Sequence, residues 1–208
     1  GGLFDYRGLK WNLLDLSLGL RGRYQRSNAA VVLGALEIVR QDFPLTEAAV
    51  RKGLRTVFWP GRLEVVQHRP MVILDGAHNG EGVRALVDEI RRFHALKKVK
   101  LLFAAMEDKD WACMIRELSE VASEVVLTRV PMQRSAEPRK IGQVIGEKIP
   151  LVVIEDPAQA LRFLLERAGP DDAILITGSL YLLGAVRPLL AERTFLKSSA
   201  GRLADVGA

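Results

Sequence analysis

The chain has 208 residues, a formal net charge of +5 and a pI near 9.6. That mild positive charge suits an anionic small molecule, but with 6% aromatic residues it is too weak to predict a nucleic-acid-binding surface. Cys113 is the single cysteine, which excludes an internal disulfide and makes a reducing, cytoplasmic location the expectation. No apolar run reaches the roughly 20 residues of a membrane span, and the start carries no secretory signal pattern. The chain begins Gly1-Gly2 rather than with Met. That start predicts a piece of a longer protein, although the remnant of a tag would look the same.

The first sixty residues mix strand and helix signals. Residues 3–24 have the pattern of short strands joined by polar turns, and apolar and polar residues alternate over Leu14–Leu20, as in a half-buried strand. Apolar positions over Ser27–Arg40 predict a helix capped by Ser27 or Asn28.

Two further signals close this region. Pro44 ends the first helix, and Thr46 is the predicted cap of a second, short one. Residues 57–62 form a connector that contains a Pro-Gly turn. We therefore place a domain boundary there, with a first domain over residues 1–58.

Beyond Arg62, apolar runs alternate regularly with helical segments, which predicts an α/β fold with a mostly parallel, Rossmann-like sheet flanked by helices. The predicted strands are Met71–Leu74, Val99–Ala104, Glu124–Leu127, Leu151–Ile154 and Ala173–Ile176. The predicted helices are Glu81–Phe93, Trp111–Ser119, Arg139–Glu147, Pro157–Arg167 and Ser179–Ala191, with Asp110 and Asp156 as caps. This domain should cover residues 59–195, and residues 196–208, which include Ser198–Gly201, should form a loose tail.

Chemically informative residues concentrate in Asp75-Gly76-Ala77-His78-Asn79, directly after the strand Met71–Leu74. In an open α/β sheet, ligands bind where strands end and helices begin. Asp75 is suited to hydrogen-bond a ribose diol or to bind a metal through water, and helix capping is the equally weighted alternative. His78 suits a phosphate or a developing charge near neutral pH. Three such side chains in one turn favour a site over separate structural roles.

Two other positions suit anions. Arg62 follows the rigid Pro60-Gly61 turn and has the geometry for bidentate phosphate contact, against the plainer reading of a surface arginine. Ser179 follows a strand and opens a helix, where a hydroxyl and backbone amides bind a carboxylate or simply cap the helix. The acidic run 106–110 is better explained as a solvated turn, and the basic residues Arg91, Arg92, Lys97, Lys98 and Lys100 as a solvated helix end and loop.

Several nucleotide and catalytic motifs do not match. The glycines at 76, 80 and 82 lack the G-x-G-x-x-G spacing, and no G-x-x-x-x-G-K-[ST] loop occurs. Tyr181 replaces the second glycine of a nucleophile elbow. His68, His78 and His94 have no metal-ligand spacing, so no metal ligand is assigned.

Taken in order, the motifs resemble the carboxyl-terminal half of folylpolyglutamate synthase / dihydrofolate synthase, a branch of the Mur ligase superfamily. The segments that carry the resemblance are Gly22–Ala30, Pro60–Glu64, Leu74–Asn79, Asp108–Asp110 and Thr177–Leu182. The resemblance implies a Mur ligase carboxyl-terminal domain, preceded by the end of the central ATPase domain.

The resemblance also implies a reaction, ATP-dependent formation of an amide. ATP phosphorylates a carboxylate of folate or dihydropteroate, and the L-glutamate amine displaces phosphate from the acyl phosphate. By resemblance, Asn28 contacts adenine, Arg62 the ATP phosphates and Asp75 the ribose. His78, as the catalytic residue, and Ser179 would lie near the incoming glutamate. The charge on the transferring group calls for cations and helix dipoles.

Some features depart from the family pattern. Gly80 stands in place of a proline, which should loosen the first helical turn, and Tyr24 stands in place of a histidine. The phosphate loop and the Mg²⁺ ligands would belong to an amino-terminal ATPase part outside this chain. We therefore expect the chain alone to be inactive. A freestanding nucleotide-binding or interaction module and a Mur-type ligase with another acceptor stay open, as do the oligomeric state and whether first or later glutamates are added.

Overall fold

The computed structural model describes residues 2–40, 42–93, 99–147 and 149–191. It divides into two compact units, an amino-terminal unit (Gly1–Leu63) and a carboxyl-terminal unit (Glu64–Ala208). The boundaries 1–58, 59–195 and 196–208 inferred from the sequence stay predictions. The predicted tail, with Ser198–Gly201, lies outside the described residues, as do His94, Lys97 and Lys98.

The amino-terminal unit packs a two-stranded antiparallel hairpin with two helices. Its elements are β1 (Phe4–Arg7), β2 (Asn12–Leu16), α1 (Tyr24–Val39) and α2 (Glu47–Thr56). Its small core is apolar, with one tyrosine, and consists of Tyr6, Leu13, Leu16, Leu33 and Val50. Thr46 caps α2 as predicted, because its hydroxyl accepts a hydrogen bond from the amide of Ala49 at 3.2 Å.

The strand predicted over Leu14–Leu20 is placed wrongly. The observed β2 ends at Leu16, and Leu14 is 46% exposed while Leu13 and Leu16 are buried. Asp15 has φ +53°, and the pairing register with β1 shifts at this point. This bulge breaks the two-residue alternation, so Leu14 is exposed where the pattern expects a core side chain, while Leu16 and Leu18 are buried as the pattern expects.

The predicted start and caps of the first helix are also wrong. The helix α1 begins at Tyr24, after Gly22 with φ +98°, and the side chain of Arg23 makes no capping hydrogen bond. Ser27 and Asn28 therefore lie inside the helix. The inward line of α1 is Gln25, Ala29, Leu33 and Glu37, and the polar residues of its first turn hid the start of the helix from an apolar pattern.

Glu37 joins α1 to the turn of the hairpin. Its carboxylate accepts hydrogen bonds from the amides of Leu9 (2.7 Å), Lys10 (2.9 Å) and Trp11, and from the hydroxyl of Tyr6 (3.3 Å). Burial pulls the pKa of Glu37 upward, but these hydrogen bonds outweigh burial and leave the pKa lowered. Burial, together with the charge and hydrogen bond of Glu37, raises the pKa of Tyr6.

The carboxyl-terminal unit is an α/β domain, as predicted. Its strands are β3 (Glu64–His68), β4 (Met71–Leu74), β5 (Val99–Phe103), β6 (Ala122–Leu127), β7 (Leu151–Val153) and β8 (Ala173–Thr177). Its helices are α3 (Gly80–Arg92), α4 (Trp111–Ser119), α5 (Pro138–Ile145), α6 (Pro157–Arg167) and α7 (residues 180–191). The six strands have the order β3-β4-β8-β5-β6-β7, and only β3 runs antiparallel to its neighbour.

Both faces of this sheet carry helices. One face packs even-numbered strand residues such as Val72, Leu102 and Ile174 against α6 and α7 in a single apolar cluster. Because side chains alternate along a strand, odd-numbered residues face the other side, where α3, α4 and α5 pack in a row. Glu64 in β3 accepts a bidentate pair of hydrogen bonds from Arg187 in α7, at 2.6 and 2.8 Å, and this contact raises the pKa of Arg187.

Candidate functional site

Parallel strands direct three loops to the same edge of the sheet in the carboxyl-terminal unit. The loop after β4 (residues 75–79), the loop after β8 (residues 178–179) and the loop after β5 (residues 104–110) follow adjacent strands, because β8 lies between β4 and β5. The amino ends of α3, α7 and α4 follow these loops directly. The edge therefore combines polar side chains with helix amino ends, the usual arrangement for binding anions.

Asp75 lies at the root of the first loop. The residue is 3% exposed, and its Oδ1 accepts a hydrogen bond from the amide of Ala77 at 2.9 Å. Its own amide donates to the carbonyl of Ile176 at 3.0 Å, so the pairing of β4 with β8 continues one step beyond the strand ends. Asp75 does not cap α3. That role belongs to Asn79, whose Oδ1 accepts from the amide of Gly82 at 2.8 Å.

His78 is half-buried and held by its own loop. Its Nδ1 lies 2.8 Å from the carbonyl oxygen of Gly76. A carbonyl only accepts hydrogen bonds, so Nδ1 carries the proton and, in the neutral ring, the lone pair is on Nε2. The loop therefore fixes the tautomer of His78 and leaves Nε2 as the nitrogen available for chemistry.

Gly80 is the first residue of α3, and replacing it tests whether proline fits the first helical turn. Asn79 before it is extended (φ −146°, ψ 166°), the conformation favoured before proline. A Cβ on Gly80 would meet only ordinary neighbours, Cys113 Sγ at 3.5 Å and an Arg84 nitrogen at 3.6 Å. We expect Gly80→Pro to raise the free energy of unfolding by about 0.4–1 kcal/mol, measured by chemical denaturation.

The matched control is Gly82→Pro, in the same helical turn. It removes the amide that Asn79 caps and should destabilise the chain. A Gly80→Pro variant less stable than the parent would contradict the fit of proline at this first helical position.

The loop after β8 is tied to the loop after β4. The amide of Gly178 donates to the carbonyl of Ala77 at 3.1 Å, and Thr177 Oγ1 donates to the same oxygen at 3.4 Å. Ser179 is buried, and its Oγ accepts a hydrogen bond from the amide of Tyr181 at 3.2 Å in the first turn of α7. Ser179 therefore caps the helix as the alternative reading expected, and its O–H proton stays available to donate.

The acidic loop after β5 behaves as a solvated turn. Asp110 caps α4 by accepting from the amide of Cys113 at 3.0 Å. The hydrogen bond from Lys109 lowers the pKa of Asp108, and the two side chains form an ion pair at 3.3 Å. These acids thus have structural partners of their own.

Arg62 and Asn28 belong to the amino-terminal unit. Arg62 is half-buried and lies between Gly61 (φ +69°) and the buried Leu63 (φ +47°), so it is part of a tight, left-handed turn. Asn28 is exposed in α1, and its side-chain amide donates to Gln25 Oε1 at 3.0 Å.

Asn28 also lines a cavity of about 380 Å³ that is otherwise almost entirely apolar. The cavity lies between α1, α2 and the segment around Leu18 and Leu20. A cavity of this size with one or two amide groups suits a flat heteroaromatic ring. Sequence reasoning named Asn28 as a helix-cap candidate and, by resemblance, as a contact to adenine, but gave no sign of the cavity, because its lining comes from three separate segments.

In the part of the chain that the structure describes, no three His, Cys, Asp or Glu side chains form a group that could hold a metal ion. Within the same residues, no helix is both long and apolar enough to cross a membrane.

Comparison with known proteins gives one family and a consistent set of relatives. The family model described as "Mur ligase, glutamate ligase domain" matches residues 61–180. The chain is 33% identical to the dihydrofolate synthase/folylpolyglutamate synthase of Bacillus subtilis over 180 residues, which are 85% of this chain and 41% of that protein.

Two solved structures extend the similarity to the fold. Escherichia coli FolC in complex with DHPP and ADP has a TM-score of 0.80 and 25% identity, over 89% of this chain and 43% of that one. A Yersinia pestis bifunctional folylpolyglutamate synthase/dihydrofolate synthase complexed with AMPPNP and Mn ion has a TM-score of 0.74 and 28% identity, over 88% and 42%. The chain thus spans less than half the length of the relatives it matches.

Proposed function

Because the chain belongs to the Mur ligase, glutamate ligase domain family, we propose that it is the carboxyl-terminal part of an ATP-dependent ligase that adds L-glutamate to folate or dihydropteroate. The family match confirms the resemblance inferred from the sequence motifs. Dihydrofolate synthase/folylpolyglutamate synthase among the relatives supports the folate branch over a Mur-type ligase with another acceptor. The observation that carries the proposal is the grouping of Asp75, His78 and Ser179 at adjacent strand ends within the matched region.

The nucleotide is proposed to use three residues, each suited by its own surroundings. Asn28 presents an amide in an apolar cavity of suitable size for adenine. Arg62, in a left-handed turn, offers a guanidinium for the phosphates. Asp75 offers a buried carboxylate for the ribose hydroxyls. A divalent metal finds no ligand group in the described residues, so we assign Mg²⁺ and the phosphate loop to an ATPase part of the same protein outside this chain.

Glutamate is proposed to bind beside His78 and Ser179. The hydroxyl of Ser179 and the first amides of α7 suit a glutamate carboxylate. Nε2 of neutral His78 accepts a proton from the glutamate ammonium. The amine then forms a C–N bond to the acyl phosphate carbon while the C–O bond to phosphate breaks, and the departing phosphate takes the second proton that the nitrogen loses. The products are the amide and inorganic phosphate, with ADP from the earlier phosphoryl transfer.

The outward face of α1 supports the view that this chain is part of a larger protein. Val31 and Ile38 are 74% and 71% exposed, and Val32 and Val39 also face outward. From Ser27 to Val39 the only charged residue is Glu37, which faces inward. A helix that is apolar on all sides is a buried helix, and the ATPase part is the covering that we propose.

Activity of the full-length protein that carries this sequence tests the function. We expect conversion of dihydropteroate or folate that depends on both ATP and L-glutamate and releases ADP and phosphate, while the 208-residue chain alone forms no product. Nucleotide binding without product formation by the full-length protein would support a binding module instead. Product formed by the isolated chain would contradict its assignment as an incomplete catalytic unit.

Asp75→Asn in the full-length ligase tests the nucleotide assignment. Asparagine keeps the size and one oxygen but loses the charge, so we expect the KM for ATP to rise about tenfold or more, since hydrogen bonds to a charged group contribute about 1.5–3 kcal/mol. Steady-state kinetics with ATP and glutamate varied separately measures this change.

The matched control is Asp156→Asn. Asp156 also follows a parallel strand and accepts the Gln159 amide as cap of α6, but β7 is the far edge strand. An unchanged KM for ATP in Asp75→Asn, or an equal rise in both variants, would refute a specific role for Asp75.

A further inference from the structure

The carbonyl of Ala77 is the point at which two of the site loops meet. It accepts two hydrogen bonds, from the amide of Gly178 at 3.1 Å and from Thr177 Oγ1 at 3.4 Å. The first extends the parallel pairing of β4 and β8 past the strand ends, as the bond from Asp75 to Ile176 also does. The second comes from a side chain, so of the two hydrogen bonds to the Ala77 carbonyl it is the one that depends on residue type.

The environment of Thr177 leaves its hydroxyl little alternative. The residue is fully buried and ends β8, and it pairs in register with Phe103 of β5. A buried hydroxyl without an acceptor is costly, so the Ala77 carbonyl fixes the side chain as much as the side chain fixes the carbonyl. If Thr177 served only to pack the buried end of β8, valine, which has the same shape, would fill the position equally well.

The residues next to this contact are the ones proposed to handle glutamate. His78 follows Ala77, and Ser179 follows Gly178. The hydrogen bonds to Ala77 therefore control the distance between the backbone that carries His78 and the backbone that carries Ser179. Side chains that bind and deprotonate one small substrate have to be held within about 0.5 Å of their productive geometry.

We propose that Thr177 is a positioning residue for glutamate, whose hydroxyl holds the Ala77 carbonyl and thereby sets His78 against Ser179. The inference rests on the proposed function. It assigns no contact between Thr177 and substrate. It assigns the larger effect to the glutamate half of the reaction, because His78 and Ser179 directly follow the two bonded residues, whereas Asp75 contacts Ala77 only through its amide.

The test uses the full-length ligase with Thr177→Val and Thr177→Ser. Valine removes only the hydroxyl, and we expect kcat/KM for glutamate to fall about three- to tenfold, the measure of one neutral hydrogen bond. The KM for ATP should change less than kcat/KM for glutamate, because Asp75 contacts Ala77 through its amide and not through the carbonyl that Thr177 holds. Serine restores the hydroxyl and should return kcat/KM for glutamate to near the parent value. Amide hydrogen exchange at Gly178 should be faster in the valine variant and near normal in the serine variant.

Each outcome decides the matter. Parent-like glutamate kinetics in Thr177→Val overturns the positioning role. So does an equal loss for ATP and glutamate that follows a lowered thermal midpoint and is not rescued by serine, which would show a role in folding alone. If the parent protein itself forms no product, the proposed function fails and the positioning role fails with it. If the parent is active and Thr177→Val has the same glutamate kinetics, only the role of Thr177 is refuted.

Discussion

Gly178→Ala is expected to destabilise the carboxyl-terminal unit by about 2–5 kcal/mol. The residue has φ +102°, a conformation that costs an ordinary residue about 1–2 kcal/mol. A Cβ would also lie 2.4 Å from the carbonyl oxygen of Ala104 and 2.5 Å from the Phe103 ring. Neither neighbour yields easily, because one is backbone and the other a fully buried aromatic side chain, so overpacking adds about 1–3 kcal/mol.

Gly146→Ala separates the two causes. Gly146 also has a positive φ (+64°), at the end of α5, but nothing lies within 4 Å of where its Cβ would be. Gly146→Ala should therefore lower the free energy of unfolding by about 1–3 kcal/mol through backbone strain alone. Denaturant unfolding of both variants measures the two losses of stability, and the difference between them is the part caused by the steric clash at Gly178. Equal losses in the two variants would mean that the loop after β8 relaxes away from Phe103 and Ala104.

The close approach at Gly178 links the three loops of the site edge. Gly178 touches the loop after β5 through Ala104, and its amide binds the loop after β4 through Ala77. Three loops thus share one glycine, and a larger residue would displace all of them. We expect the same substitution in the full-length ligase to reduce activity by more than its loss of stability explains.

The fold of the carboxyl-terminal unit was predictable because its signals are local and agree with one another. Each core strand is an apolar run, and Asp110 and Asp156 mark helix starts that the structure reproduces. The helices predicted at Trp111–Ser119 and Pro157–Arg167 have the observed bounds. Where propensity, capping and hydrophobic period coincide, one reading dominates.

The amino-terminal unit was less predictable because tertiary contacts override its local pattern. The bulge at Asp15 interrupts the alternation of β2, and although aspartate adopts a positive φ more readily than most residues, the residue type alone does not specify a bulge. Glu37 is the one charged residue in an apolar stretch of α1, yet it is buried, because three backbone amides in a turn 26 to 28 residues earlier in the chain donate hydrogen bonds to its carboxylate. Only a structure that brings that turn to α1 reveals such a role.

The sequence was enough to predict which residue types lie at which strand ends of the candidate site, but not which atoms they contact. Asp75, His78 and Ser179 were selected because they follow apolar runs. That Asn79 rather than Asp75 caps α3 is a local contact over three residues, whereas the hydrogen bond from Thr177 to the Ala77 carbonyl depends on the order of β4 and β8 in the sheet. Strand order is a long-range property, and periodicity does not encode it.

Acid sensitivity of the amino-terminal unit should depend on Glu37. The pKa of its carboxyl is lowered in the folded chain, against about 4.3 in an unfolded one. The stabilisation it gives is therefore fully present above pH about 4.3 and is lost as the pH falls through the lower folded value. Glu37→Gln should lower the thermal midpoint at neutral pH, because a glutamine oxygen cannot replace a carboxylate that accepts three backbone amides and a tyrosine hydroxyl.

The pH dependence distinguishes this role from mere packing. The difference in thermal midpoint between the parent and Glu37→Gln should be widest near neutral pH and should narrow in acid. Protonation removes the negative charge of Glu37 from the parent, and the substitution has already removed that charge from the variant. Glu47→Gln is the control, since Glu47 is an exposed residue paired with Arg51 one helical turn away, and such pairs contribute little. A gap that stays constant down to acid pH would mean that the shape of the side chain, and not its charge, holds the hairpin turn to α1.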